Sequence, residues 1–320
     1  MAGAGGEIRV AAILGPTAVG KSRVAVELAS LCPLEIISVD SMQVYRGMDI
    51  GTAKPDESLR RRVVHHMIDV VEAQEEYSVA LFQAQARDIM ADTAARGRLP
   101  LLVGGTGLYF EAAVFDLRFP PGSRDDRLRR DIEDWARRDP EGLRRSLAEV
   151  DPDFACGEGM ENLRRVARAM EVYRRTGRPF SSFQVKRGQQ RPLYRYAGVV
   201  LTLPREELYR RIDRRVEEMF AAGLVEEVRG LLSRGGLSRT AAQALGYREV
   251  IRHLDRGIPL EETITEIKRR SRNYAKRQLT WFRRVPGLLW MEMEGEEGPG
   301  SYSAAARRIH DHVARELGLG

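Results

Sequence analysis

Short, almost uninterrupted apolar runs alternate with segments of helical spacing through the first hundred residues. Val10-Ala11-Ala12-Ile13-Leu14 follows Arg9, Leu34–Val39 carries four apolar residues in six, and Leu99-Pro100-Leu101-Leu102-Val103 is apolar throughout. Runs of this length, each ending at Gly or Asp, predict strands covered on both faces. Between them, residues 21–31 and 77–95 repeat apolar positions at three- and four-residue spacing, which predicts helices. The alternation predicts an α/β fold: a parallel sheet with helices on both faces. Sheets of this kind bind ligands at the carboxyl ends of their strands, here the loops Gly15–Gly20, Asp40-Ser41 and Gly104–Gly107.

The rhythm stops near Leu117. Residues 124–147 and 161–176 predict two basic amphipathic helices with no strand between them, the second ended by Gly177-Arg178-Pro179. A strand returns over Tyr196–Leu203. Helices are predicted over 206–221, 225–233, 240–255 and 260–282, then a loop over 295–300 and a final helix. The chain thus divides into an α/β core with C-terminal helices (residues 1–116 and 199–320) and a helical insertion (117–198).

Composition narrows the picture. The 320 residues are 43% apolar, enough for a sizeable core, and carry a net charge of +6. No run of 18 apolar residues is present, so no membrane span is expected. The first seven residues lack a basic and then apolar leader pattern. Cys32 and Cys156 form neither a disulfide framework nor a metal cluster, and His65-His66 has no third ligand at metal spacing. These features predict a cytoplasmic protein. Arginine outnumbers lysine 47 to 5, and residues 117–198 hold 19 basic against 13 acidic side chains. Residues 268–284 add eight bases and no acid, with Tyr274, Trp281 and Phe282 interleaved. One basic run reads as a solvated helix face, whereas two predict a polyanion larger than a nucleotide.

Gly15-Pro16-Thr17-Ala18-Val19-Gly20-Lys21-Ser22 matches G-x-x-x-x-G-K-[ST] between a predicted strand and a predicted helix. This is a phosphate cradle of the P-loop NTPase-like fold, a fold class associated with ATP binding. Backbone N–H groups and the helix N-terminus face the phosphates, Lys21 neutralises them and Ser22 contacts Mg²⁺. The usual companion, an apolar strand ending in Asp, is missing: the strand at Leu99 ends in Gly104-Gly105-Thr106. The loop can therefore hold a phosphate chain without running NTP hydrolysis. Asp40 reads either as a general base or as a cap or outer Mg²⁺ ligand. Thr106 reads either as a donor where backbone approaches a ligand or as turn chemistry. Arg211 and Arg215 share a helix face.

Further blocks are more specific: Ile37 to Pro55 (ISVDSMQVYRGMDIGTAKP), Val103 to Phe110 (VGGTGLYF), Gly246-Tyr247-Arg248, and Ala275 to Arg283 (AKRQLTWFR). Together with the P-loop they closely resemble the bacterial tRNA dimethylallyltransferases, also called tRNA isopentenyltransferases, over nearly the whole chain. The resemblance implies transfer of a dimethylallyl group from dimethylallyl diphosphate to N6 of the adenine 3′ to the anticodon, tRNA position 37, in tRNAs reading codons that begin with U. It implies Mg²⁺ as cofactor, a monomer, and an insertion that grips the tRNA anticodon stem. It assigns Asp40 as base, and Lys21, Thr106, Arg211 and Arg215 to the diphosphate leaving group. It assigns tRNA contacts to Asp40-Ser41-Met42-Gln43, Arg129, Glu161-Asn162-Leu163-Arg164-Arg165, Gln243-Ala244-Leu245-Gly246-Tyr247-Arg248, Lys276 and Arg277. Glu161 stands where the family often has Gln, and a carboxylate accepts but does not donate to a base edge. Two other readings of the residues are a P-loop small-molecule kinase and an RNA-binding protein with a vestigial P-loop.

Overall fold

The computed structural model describes residues 7–120, 126–183, 190–294 and 297–319. It separates into two compact units, residues 1–114 with 192–320 and residues 115–191. The first unit is built on a six-stranded, all-parallel sheet in the order β3-β2-β4-β1-β5-β6. Its strands are β1 (Arg9–Leu14), β2 (Leu34–Val39), β3 (His65–His66), β4 (Leu99–Gly104), β5 (Arg195–Thr202) and β6 (Leu288–Glu292). Helices α1 (Lys21–Leu28), α2 (Glu57–Arg60), α3 (Val79–Ala95) and α4 (Gly107–Val114) connect the first four strands or follow them. After β5 come α9 (Arg205–Ala221), α10 (Leu224–Ser233), α11 (Tyr247–Arg256) and α12 (Leu260–Phe282), and α13 (Pro299–Leu317) follows β6.

The apolar runs are uninterrupted because both faces of the sheet are covered. Val10 to Leu14 have no solvent exposure. On one face α1 and α13 pack together over β1, β4 and β5. The stripe Tyr302, Ala305, Ala306, Ile309, Val313 and Leu317 supplies the contact at helical spacing. Each of β1, β2, β4 and β5 delivers its following loop to the same edge of the sheet, with β1 central among them.

The second unit contains α5 (Asp126–Arg138), α6 (Pro140–Val150), α7 (Pro152–Ala155) and α8 (Leu163–Thr176). Its own core is Ile132, Ala136, Leu143, Leu147, Phe154, Val166, Ala169 and Met170. The single helix predicted from 124 to 147 is two helices. Asp139 caps the second through Gly142 N–H, and Pro140 occupies its first turn, where its missing N–H costs nothing. Arg124 itself lies outside the described residues. Glu158–Glu161 forms a 3₁₀ turn, and α8 starts at Leu163 behind the capping carboxamide of Asn162.

Four further departures are local. The helix predicted over 240–255 breaks at Ala244–Gly246, where Gly246 takes φ 94°; α11 begins at Tyr247. β6 and the two-residue β3 were not expected, being short edge strands with little or no buried stripe. The core resumes at Pro192 rather than 199, because β5 begins at Arg195. Of the loop predicted over 295–300, residues 295 and 296 lie outside the described residues, and α13 already starts at Pro299.

Glu35 on β2 is 2% exposed and ties three elements together. It accepts hydrogen bonds from both terminal nitrogens of Arg96, from His66 Nε2 at 2.7 Å and from Thr93 at 3.3 Å. The Arg96 hydrogen bonds, outweighing burial and helped by His66, hold its carboxyl at about 2. A depressed carboxylate contributes stability above its unfolded value, near 4.5, that is lost as pH falls toward 2. Glu35→Gln is expected to cost about 2 kcal/mol at pH 7, the scale of charged hydrogen bonds with a half-exposed arginine. The gap from the parent should shrink as pH falls from 4.5 toward 2; urea midpoints measured across that range check both.

Candidate active site

The loop after β1, expected to cradle phosphate, leads from Gly15 to the start of α1 at Lys21. Gly15 has φ 143°, and a Cβ there would stand 2.6 Å from Leu201 O. Gly20 takes φ 98° as the N-cap of α1. No side chain caps this helix and no acid lies in its first turn, so its positive end is available to an anion. Lys21 donates to Gly15 O at 3.0 Å and Pro16 O at 2.7 Å, which lays its ammonium across the loop. Burial, reinforced by the charge of Arg215, pulls Lys21 down to about 7, while Asp40 works in the opposite direction.

The loops after β2 and β4 lie beside it. Asp40 Oδ1 accepts from Met42 N at 2.9 Å and Gln43 N at 3.4 Å, so one oxygen does the capping that the sequence allowed. Thr106 Oγ1 accepts from Ser41 N at 3.2 Å, joining the two loops. From α9, Arg215 makes two long hydrogen bonds of 3.5 Å, to Thr17 Oγ1 and Ala53 O. Arg211, one turn earlier, is 4% exposed and paired with Glu207 at 2.6 Å, with Glu297 at 3.9 Å. Of the two arginines, Arg215 keeps the more available charge. Lys21, Ser22, Asp40, Arg211 and Arg215 all line one cleft of about 750 Å³, whose apolar wall includes Met42, Val103, Ile212, Val216, Met219 and Ile267.

The chain as a whole is similar to known proteins. The family model described as IPP transferase matches residues 43–285, and one described as Isopentenyl transferase matches residues 8–69. The chain belongs to the IPP transferase family. A tRNA dimethylallyltransferase of Geobacillus thermodenitrificans is 46% identical over 313 residues, covering 97% of this chain and 98% of that protein. The solved tRNA isopentenylpyrophosphate transferase of Bacillus halodurans is 39% identical, with a TM-score of 0.70 over 98% of this chain and 99% of that one. A eukaryotic dimethylallyltransferase acting on tRNA is 29% identical, with a TM-score of 0.73 over 89% of this chain and 73% of that one.

In this member of the family the residues expected to meet RNA fall into distinct settings. Ser41, Met42, Gln243, Leu245, Gly246, Arg248 and Arg277 line the cleft, and Lys276 is exposed. Gln43 also borders it, but its amide points inward, taking Ser38 Oγ and donating to Thr52 O and Ala53 O. Ala244 is buried. Tyr247 is a correction to the expected contacts: it is fully buried, and its hydroxyl donates to Glu227 at 2.5 Å. In the helical unit, Glu161 to Arg165 line a shallow open patch on which Arg164 and Arg165 are exposed. Arg129 sits on α5, 3.6 Å from Glu133. The basic run of α12 is less free than its sequence suggests. Lys268 pairs with Glu217, Arg269 and Arg270 with Glu266, and Arg272 with Asp213.

Several residues that shape the site escaped sequence reasoning. Glu227 accepts from the backbone of Asp49, Ile50 and Gly51, bracing the loop whose Ala53 meets Arg215. Tyr302 packs on Gly20 and donates to Glu297, which also pairs with Arg214. Gln278 bridges two of the loops. Only Gln278 lay inside a motif that the sequence marked.

An anion bound at the loop raises the pKa of Lys21 again, so binding takes up protons above about pH 7. Calorimetry of inorganic diphosphate at pH 8, in buffers of different ionisation enthalpy, is expected to show more proton uptake for the parent than for Lys21→Met. Equal uptake would show that Lys21 does not face the ligand.

Proposed function

We propose that the chain is a tRNA dimethylallyltransferase that moves the dimethylallyl group of dimethylallyl diphosphate to N6 of adenine 37, beside the anticodon, in tRNAs reading codons that begin with U. The observation that carries the reading is the single cleft in which a phosphate cradle, a carboxylate, an arginine and an apolar wall meet. A prenyl diphosphate has these parts: a charged leaving group, a short apolar chain and a carbon between them that accepts a nucleophile.

The reaction breaks the bond from C1 of the prenyl group to the diphosphate oxygen and forms a bond from C1 to N6. The electron pair of the broken bond leaves on diphosphate. Lys21 and Arg215 neutralise it, and Thr106 donates a hydrogen bond as the charge develops. The N6 amine is a weak nucleophile because its lone pair is delocalised into the ring. Asp40 takes its proton through Oδ2, since Oδ1 is engaged by Met42 and Gln43. The donor set fits a hard cation: Ser22 offers a hydroxyl at the start of α1, and the diphosphate supplies further oxygens. Mg²⁺ held there would add positive charge against the leaving group.

The acceptor adenine must leave its stack to reach such a cleft, which costs least in a loop. The helical unit, with Arg164 and Arg165 exposed, is proposed to grip the anticodon stem, with Lys276 and Arg277 contributing from α12. A monomeric, cytoplasmic enzyme fits this reading. No described helix is long and apolar enough to cross a membrane.

The reading is tested by incubating the protein with Mg²⁺, labelled dimethylallyl diphosphate and an unmodified anticodon stem-loop, beside the same RNA with guanine at the target position. Label in the adenine RNA alone is expected; ATP consumption without label would favour a kinase. Asp40→Asn keeps the capping oxygen and removes the base. It is expected to lower turnover about 100-fold or more, with the tRNA dissociation constant little changed. Affinity for tRNA is expected to fall steeply between 50 and 200 mM salt, on the order of 10³-fold for some six phosphate contacts. A flat titration would count against the arginine surfaces as the RNA grip.

A further inference from the structure

We infer that Gln278 is a positioning residue of the transfer reaction, holding the phosphate loop and the Thr106 turn at a fixed separation. Gln278 lies on α12, far along the chain from both loops, and is 5% exposed. Its Oε1 accepts the Thr17 N–H at 3.0 Å, and its Nε2 donates to Gly105 O at 3.0 Å. Thr17 belongs to the phosphate loop, and Gly105 directly precedes Thr106.

The chemistry of the two partners suits an amide. One offers an N–H and the other a carbonyl, so a single side chain must accept at one end and donate at the other. The glutamine amide does both without charge and reaches both partners. The same partners set the amide's orientation, because the flipped form would oppose donor to donor and acceptor to acceptor. The surroundings are built for it. A Cβ on Gly105 would overlap Gln278 Nε2 and stand 3.3 Å from Gly15 O, so the two loops touch where the amide joins them. One helical turn along, Trp281 packs on Gly107 and donates to Glu111 at 2.9 Å, pinning the far side of the same turn.

The chain of contacts then runs from Thr17 through Gln278 to Gly105, on to Thr106, and from Thr106 Oγ1 to Ser41, the neighbour of Asp40. Under the prenyl-transfer reading, on which this inference rests, these loops hold the leaving group, its hydrogen-bond donor and the base. A change in their spacing acts on the transition state more than on the binding of either substrate.

The test compares the parent protein with Gln278→Ala and Gln278→Glu in single-turnover transfer at saturating dimethylallyl diphosphate and stem-loop RNA. Melting temperature, inorganic diphosphate binding and RNA binding are measured alongside. Gln278→Ala is expected to slow the chemical step 30-fold or more while both dissociation constants stay within about fivefold. Gln278→Glu keeps the length and the acceptor, loses the donor to Gly105 and sets a negative charge against the phosphate loop. It is expected to lose rate as well and, unlike the alanine variant, to weaken diphosphate binding at least tenfold. It also serves if the alanine variant does not fold. A rate within threefold of the parent in either folded variant overturns the inference. So does a rate loss in Gln278→Ala that disappears at saturating donor, since that is a binding defect. A parent protein that transfers no prenyl group overturns the functional reading instead, and is seen before any variant is compared.

Discussion

At Gly105 no side chain fits, because the turn after β4 meets both the Gln278 amide and the loop that follows β1 there, and the rest of the site depends on that close approach. Gly104 is pressed against Val39 O, Gly105 against Gln278 and Gly15, and Gly107 against Trp281. A methyl group at any of these positions would push a loop away from the edge where the parallel strands end. The close contact lets one cleft collect groups from β1, β2, β4 and α9, although each is contributed by a different part of the chain. Parallel topology delivers the loops to one edge, and the glycines allow them to meet there.

Charge is distributed around that contact with more restraint than the composition suggests. The chain is rich in arginine, yet Arg211 and Arg214 are balanced by Glu207 and Glu297, and four bases of α12 are paired with acids. At the phosphate loop stand Lys21, its pKa drawn down to about 7 by burial and by Arg215, and Arg215 itself, held by two long hydrogen bonds. A site of this kind gains most from a ligand that brings negative charge, because the anion relieves the repulsion between the two cations and restores the proton to Lys21.

Much of this was legible in the sequence, and the limits have physical causes. β1 and β2 fall on the predicted residues because a strand buried on both faces leaves a continuous apolar run. The P-loop is legible because its glycines and lysine act through local backbone geometry, within eight residues. β6 was not legible: Leu289 and Trp290 are exposed, so the segment shows neither alternation nor an unbroken buried stretch. The break before α11 depends on Gly246 adopting φ 94°, and a lone glycine in a helical pattern does not announce that. Tyr247 resembled a surface contact in its motif, but its environment is set by Glu227 from α10, a pairing that only the tertiary fold reveals.

α12 shows why a motif can be plain while its meaning is hidden. Its sequence displays a basic run, and the simplest reading gives every base to a polyanion. In the folded chain the helix has two duties on different faces. Lys276 and Arg277 are exposed, whereas Ala275, Gln278 and Phe282 are buried. The uncharged amide between two arginine-rich turns is what the buried face requires. A lysine or arginine there would meet the Thr17 N–H with another donor, and a carboxylate would meet the Gly105 carbonyl with another acceptor beside an anion site. The charged residues of α12 can face solvent or nucleic acid because the neutral amide of Gln278, on the buried face, satisfies both loops.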